Sequence, residues 1–269
     1  MKTLLATLAL VLAGAPVWAD ARISVLMDVM KLSEVIEILR EEGIAYGADL
    51  DRDMLSDNGG PFWSEQVRRL YDQQRMEETL RRALETELTE PQIAASTEFF
   101  ASATGDRVVT SENTTRRAFA DADRQDAALD LFNQLKAEDD PLIALVERYV
   151  KANALIENNV SGAMSEQFHF LKGMSDGGYY VASEQELLSE VWEMQDDITA
   201  NTEEWLFGFL TLAYQPLPEN DVAEYVAFAE SQAGRALNSA LFIGFDQIYR
   251  DISYGLGRAV ALVAEGDEI

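Results

Sequence analysis

A single histidine, His169, and no cysteine leave few residue types from which to build a catalytic or metal centre. Glu166-x-x-His169 has the spacing of one half of a helical di-iron carboxylate site, which requires two such pairs and further inward-facing glutamates. A zinc site would rest on this histidine and carboxylates alone, an unusual ligand set. With Phe168 and Phe170 on either side, His169 reads as a residue on or beside a core face. Asp49-x-Asp51-x-Asp53 with Asp57 copies positions 1, 3, 5 and 9 of a calcium loop. The glycine of position 6 is Met54, however, and the bidentate glutamate of position 12 is Gly60. A helix end running into Asp57-Asn58-Gly59-Gly60 accounts for the pattern. No G-x-S-x-G elbow, S-x-x-K pair, H-E-x-x-H motif, Walker loop or G-x-G-x-x-G fingerprint occurs. Adjacent acids such as Asp196-Asp197 and Glu203-Glu204 are expected by chance among 48 Asp and Glu. No catalytic residue, metal ligand or cofactor is assigned.

One local feature has the character of a binding element. Gly59-Gly60-Pro61-Phe62-Trp63 and Gly177-Gly178-Tyr179-Tyr180 each set two adjacent aromatics directly after a glycine turn. Glycines permit sharp or positive-φ geometry, and exposed loop aromatics are common anchors for ligands and partners. The residues nominated for ligand or partner contact are therefore Gly59, Gly60, Phe62, Trp63, Gly177, Gly178, Tyr179 and Tyr180. A chain reversal between helices equally needs glycine and an apolar plug.

The elements that must position these loops are helical throughout. Thr89-x-x-Gln92 and Ser183-x-x-Glu186 are capping boxes, and Pro91, Pro141 and Pro218 sit beside acids at helix starts. Hairpin signals are absent. Helices are predicted at about 22–42, 46–55, 62–87, 90–104, 106–138, 141–174, 183–214, 219–233 and 235–264, some of the long ones broken. Arg68, Arg69, Arg75, Arg81 and Arg82 form a basic run, but Glu65/Arg69, Glu77/Arg81 and Glu78/Arg82 are i,i+4 pairs, a solvated helix face rather than a nucleic-acid surface.

The chain also repeats itself. LTEPQIAASTEFFASATGDR at 88–107 and LPENDVAEYVAFAESQAGRA at 217–236 align without a gap at an offset of 129. Leu88/Leu217, Glu90/Glu219, Ala94/Ala223, Phe99/Phe228, Ser102/Ser231 and Gly105/Gly234 are identical. The glycine loops repeat at an offset of 118 to 119. The expected fold is an all-α helical bundle of two tandem similar halves, 20–138 and 139–269, compatible with packing as one domain. Gly105 and Gly234 are expected to end the repeated helices at positive φ, and Phe99 and Phe228 to be buried.

An acidic helix start, a Phe, a Gly six residues on and a long amphipathic helix after it resemble the bacterial domain-of-unknown-function family 2059. The better match is 217–252, through Phe228, Ala229, Gly234, Arg235 and Ala236; the copy at 88–122 is weaker, with Phe100 at the alanine site and Asp106 after its glycine. The resemblance implies a periplasmic α-helical protein without an assigned activity, and carries over no site residues.

Residues 1–19 have the form of a secretory signal: Lys2, an apolar run from Leu4 to Gly14, and Val17-Trp18-Ala19 before the cleavage point. Cleavage after Ala19 predicts a periplasmic or secreted protein without membrane insertion, and the lack of cysteine excludes disulfides. The mature chain carries a formal charge of −28, with −11 before residue 139 and −17 after it. Such a surface repels nucleic acid and anionic lipid. The expected function is non-enzymatic: an envelope protein that binds another protein or peptide. The alternative is binding of a small apolar or cationic ligand between the halves, with an enzyme third.

Overall fold

The computed structural model describes residues 15–264 and residue 266. The first 14 residues of the expected signal lie outside them. Every regular element among the described residues is α-helical, as the capping and periodicity signals require. The chain opens with α1 (Ala15–Val29) and α2 (Leu32–Leu55), followed by α3 (Gly60–Leu70) and α4 (Gln73–Glu87). Next comes the first repeated unit, α5 (Glu90–Phe100) and α6 (Ala103–Ala118), then α7 (Ala122–Ala137) and α8 (Pro141–Ala152). The long α9 (Leu155–Asp176), α10 (Glu184–Glu193) and α11 (Gln195–Tyr214) lead to the second repeated unit, α12 (Glu219–Ala229) and α13 (Gln232–Ala264). At 33 residues, α13 is the longest element and spans about 50 Å at 1.5 Å per residue. It lies along α9 and α4 and forms the spine of the molecule.

Both capping boxes are present: the Thr89 amide donates to Gln92 Oε1 at 2.8 Å and the Ser183 amide to Glu186 Oε2 at 2.7 Å. Several predicted boundaries move. The break expected between 42 and 46 does not occur, because Gly43 and Gly47 are packing sites rather than breakers. A Cβ on Gly43 would fall 2.1 Å from the Tyr71 ring, and one on Gly47 2.7 Å from Val67. The bare backbone of α2 thus admits α3, and Trp63 Nε1 donates to Gly47 O at 2.8 Å. The chain breaks instead at Lys31 and at Ala154, two non-glycine residues with φ of 52° and 48°, which no local signal marks. The predicted 62–87 and 106–138 helices break where Asp72 and Asp121 cap new helices.

One apolar core runs through both sequence halves, including Leu26, Ile36, Leu80, Val108, Val146, Tyr214, Val226 and Leu256. A small satellite of Leu171, Leu187 and Val191 holds α10 against α9. Among the described residues no helix is long and apolar enough to cross a membrane.

Candidate functional site

The two repeated units have the same local geometry. Ser102 Oγ accepts from Gly105 N at 3.1 Å, and Ser231 Oγ from Gly234 N at 3.0 Å. A Cβ on Gly105 would lie 2.3 Å from Phe99 O, and one on Gly234 2.1 Å from Phe228 O. The glycines therefore do not end α5 and α12 at positive φ, as expected. They occupy the first turn of α6 and α13, where only a hydrogen lets the new helix press on the carbonyl that closes the old one. Across the molecule the units face each other. Phe99 stacks on Phe228 with centroids 4.4 Å apart and planes 6° apart. The two rings are half-buried at the edge of the core, against Phe100 and Tyr225, rather than fully buried as expected. Arg107 at the start of α6 grips Asp221 at the start of α12 at 2.6 Å, and Thr104 donates to Glu224 at 2.9 Å.

Beside this stack lies a cavity of about 190 Å³. Positions 129 apart line it together: Phe100 with Ala229, Val109 with Asn238, and Glu112 with Leu241. The cavity is thus lined from both units, and flanked by Tyr149 and Asn153 from the end of α8 and by Leu32 and Val35 from α2. Ala229 leaves space that Phe100 fills in the first copy, and Glu112 puts a carboxyl where the second copy has leucine.

Glu112 is the chemical centre of the cavity. Tyr214 donates its hydroxyl to Glu112 Oε1 at 2.6 Å, and Tyr149 and Tyr225 hydroxyls lie 2.8 Å apart. The Tyr225 hydroxyl also acts on the Glu112 carboxyl electrostatically. In the Tyr149–Tyr225 bond either hydroxyl can donate, while Tyr214 donates to Glu112. Burial pushes the Glu112 carboxyl up to about 7, against the opposing pull of the Tyr214 and Tyr225 hydroxyls. Burial and the adjacent carboxylate raise Tyr214 and Tyr225 well above the ordinary tyrosine value, so both remain donors at neutral pH. Asn153 is 6% exposed. Its Nδ2 donates to Tyr149 O at 3.3 Å and its Oδ1 has no partner.

A second polar cluster lies one turn further along α6. Arg116 binds Glu42 through two 2.8 Å hydrogen bonds and stands 5.3 Å over the Trp205 ring. Burial, then the Asp246 carboxylate, raises Glu166 to about 7. His169 Nδ1 meets the Ser165 carbonyl at 2.7 Å. Of the calcium-like acids, Asp49, Asp51 and Asp53 sit on α2 and Asp57 follows its end; Asp49 pairs with Arg52 at 2.6 Å and Asp51 accepts from Gly59 N at 2.8 Å. Among the described residues no three His, Cys, Asp or Glu gather as a metal site.

The glycine–aromatic loops do not behave alike. Gly60 and Gly178 take positive φ, 59° and 91°. Trp63 is 2% exposed and plugs the core under Gly59, with Phe62 half-buried beside it. After Gly177, Tyr179 is exposed, whereas Tyr180 folds back to donate to Leu171 O at 3.1 Å. Of the arginine run, Arg68 pairs with Glu65 at 3.0 Å and Arg75 reaches Asp251 at 3.3 Å.

None of the cavity polar residues was singled out from the sequence. Glu112 had one visible signal, an acid standing in the first copy where the second has an apolar residue at the same helical position. Tyr149, Asn153 and Tyr214 lie outside the aligned segments and had none.

Residues 74–132 match the model of a family described as uncharacterized proteins conserved in bacteria (DUF2059). This is the family that the Phe/Gly pattern resembles. The match covers the first unit and its flanking helices, the copy judged weaker, and does not reach 217–252. No curated protein and no solved structure matches the chain.

Proposed function

We propose that the protein binds a small, largely apolar ligand in the cavity between its two Phe/Gly units, as a binding protein of the cell envelope. The carrying observation is the cavity itself: about 190 Å³ at the junction of the repeated units, larger than the roughly 150 Å³ that accepts benzene in an engineered core. Its walls are mainly apolar, with a few convergent polar groups, the usual make-up of a small-molecule site. Lys2, the Leu4–Gly14 run and Ala19 support export, with a mature chain beginning at Asp20.

Indole, a small uncharged aromatic, tests the reading. Saturating indole should raise the melting temperature of the wild type, since ligand at about 100 times its dissociation constant adds about 2.7 kcal/mol. Ala229→Phe, which restores the aromatic of the first copy and fills the space, should fold and lose the rise. An unshifted wild type, or a filled variant that still responds, would refute cavity binding.

A second reading, docking of an envelope protein or peptide, is favoured by the exposed apolar residues around α10. Val181 is fully exposed and Trp192 is 60% exposed, with Tyr179 and Leu188 nearby in sequence. Here Tyr179 and Trp192 would be the anchors. Capture of a discrete partner from periplasmic extract should then be lost in Tyr179→Ser and Trp192→Ser, and its persistence in both would reject this surface.

A further inference from the structure

We infer that the cavity beside the Phe99–Phe228 stack selects an organic ammonium: a compact apolar or aromatic body bearing one protonated amine that meets Glu112. The inference rests on the small-ligand reading above and names its chemical class.

The polar groups on the cavity wall are unbalanced. No cationic side chain among the described residues pairs with Glu112, whose hydrogen-bond partner is the hydroxyl of Tyr214. A carboxylate offers about four acceptor positions, and one hydroxyl leaves the others open. Asn153 borders the same space, but its unpartnered Oδ1 has no surface open to it. Its orientation is fixed because the amide nitrogen is held by the Tyr149 carbonyl; a flip would set oxygen against oxygen. Asn238 also spends its amide nitrogen on protein, donating to Asn153 O at 3.2 Å. On this wall Glu112 therefore presents acceptor positions whose donors are missing, and the complementary group is a donor carrying positive charge.

The remaining walls agree. Phe100, Tyr149, Tyr225, Phe228 and Phe245 border the space, and aromatic faces attract cations. An anionic ligand would confront Glu112 directly, and a hydrocarbon would leave its carboxylate unmatched. The volume admits one ring with a short aminoalkyl arm. At longer range, a formal charge of −27 on the whole chain raises the local concentration of cations at the surface.

Titration calorimetry at pH 8 with three ligands of one shape tests this: 2-phenylethylamine, protonated there, 2-phenylethanol and phenylacetate. The wild type should bind the amine at least about tenfold more tightly than the alcohol, and phenylacetate least. Glu112→Gln should bring the amine down to the alcohol and leave the alcohol unchanged. An amine no tighter than the alcohol, or a preference that survives Glu112→Gln, overturns the ammonium assignment while the alcohol still reports the cavity. If none of the three binds, the cavity reading falls with it. The ranking in the unmodified chain stands as a test even if the variant fails to fold.

Discussion

Glu112 is where one side chain decides most about this protein. It stands on α6 beside a tyrosine cluster, and its carboxyl is pushed to about 7 because burial disfavours its charge more than Tyr214 and Tyr225 favour it. Removing one of those hydroxyls should push it higher still. In a ¹³C titration of the glutamate carboxyls, Glu112 should have a midpoint near 7, and Tyr214→Phe should raise it. A midpoint within the ordinary glutamate range would contradict the buried environment described for it. Little of this was legible in the sequence. A buried acid is recognised by what surrounds it, and its neighbours come from α8, α11 and α12, more than 30 residues away along the chain. The glycine–aromatic loops were legible as turns, but which aromatics would face inward was not. Trp63 turns in because Gly47 on another helix offers its carbonyl and leaves room for Val67, one turn further along α3.

At the scale of elements, the Ser-x-x-Gly pattern carries the repeated units. Serine caps the new helix, and glycine lets its first turn rest on the carbonyl of Phe99 or Phe228. The helices themselves could be read from capping boxes and periodicity. The role of the glycines was misjudged because a glycine between two helices marks an end or a start equally well in one dimension. Gly105→Ala and Gly234→Ala should each destabilise by about 1–3 kcal/mol, the usual range for overpacking against an unyielding neighbour. Gly162 on α9 has open space where its Cβ would stand, so Gly162→Ala should stabilise by about 0.5–1 kcal/mol through helix propensity. Urea denaturation of the three variants checks both signs. If Gly105→Ala and Gly162→Ala behave alike, the close contact does not govern the turn.

For the whole molecule, two interior carboxyls near 7 and a formal charge of −27 act together. Glu112 and Glu166 have folded-state values raised above the ordinary 4.5. Their protonated forms therefore favour the native state, a contribution fully present below about 4.5 and lost as pH rises through about 7. The ion pair across the two units acts oppositely at lower pH: Arg107 holds Asp221 below its usual value, so that contribution fades only on strong acidification. Melting temperature should accordingly fall between pH 5 and pH 8. Glu112→Gln should raise it at pH 8, by a stability increment on the order of 1–3 kcal/mol, and leave it nearly unchanged at pH 5. A variant equally affected at both pH values would show that Glu112 is not carrying a buried charge. The all-α class was legible from local signals alone, whereas the meeting of the two units was not, because the alignment of 88–107 with 217–236 says nothing of how they face. The cavity is a product of that meeting.

The most direct measurement is a crystal structure of the wild-type protein grown with 2-phenylethylamine at pH 8. The ligand ring should lie in the cavity between Phe100, Phe228 and Leu241, with its nitrogen about 2.7–2.9 Å from a Glu112 carboxylate oxygen, the span of a charge-assisted hydrogen bond. A ligand bound elsewhere, or a cavity closed by the side chains of α6 and α13 with no ligand inside, would contradict the account.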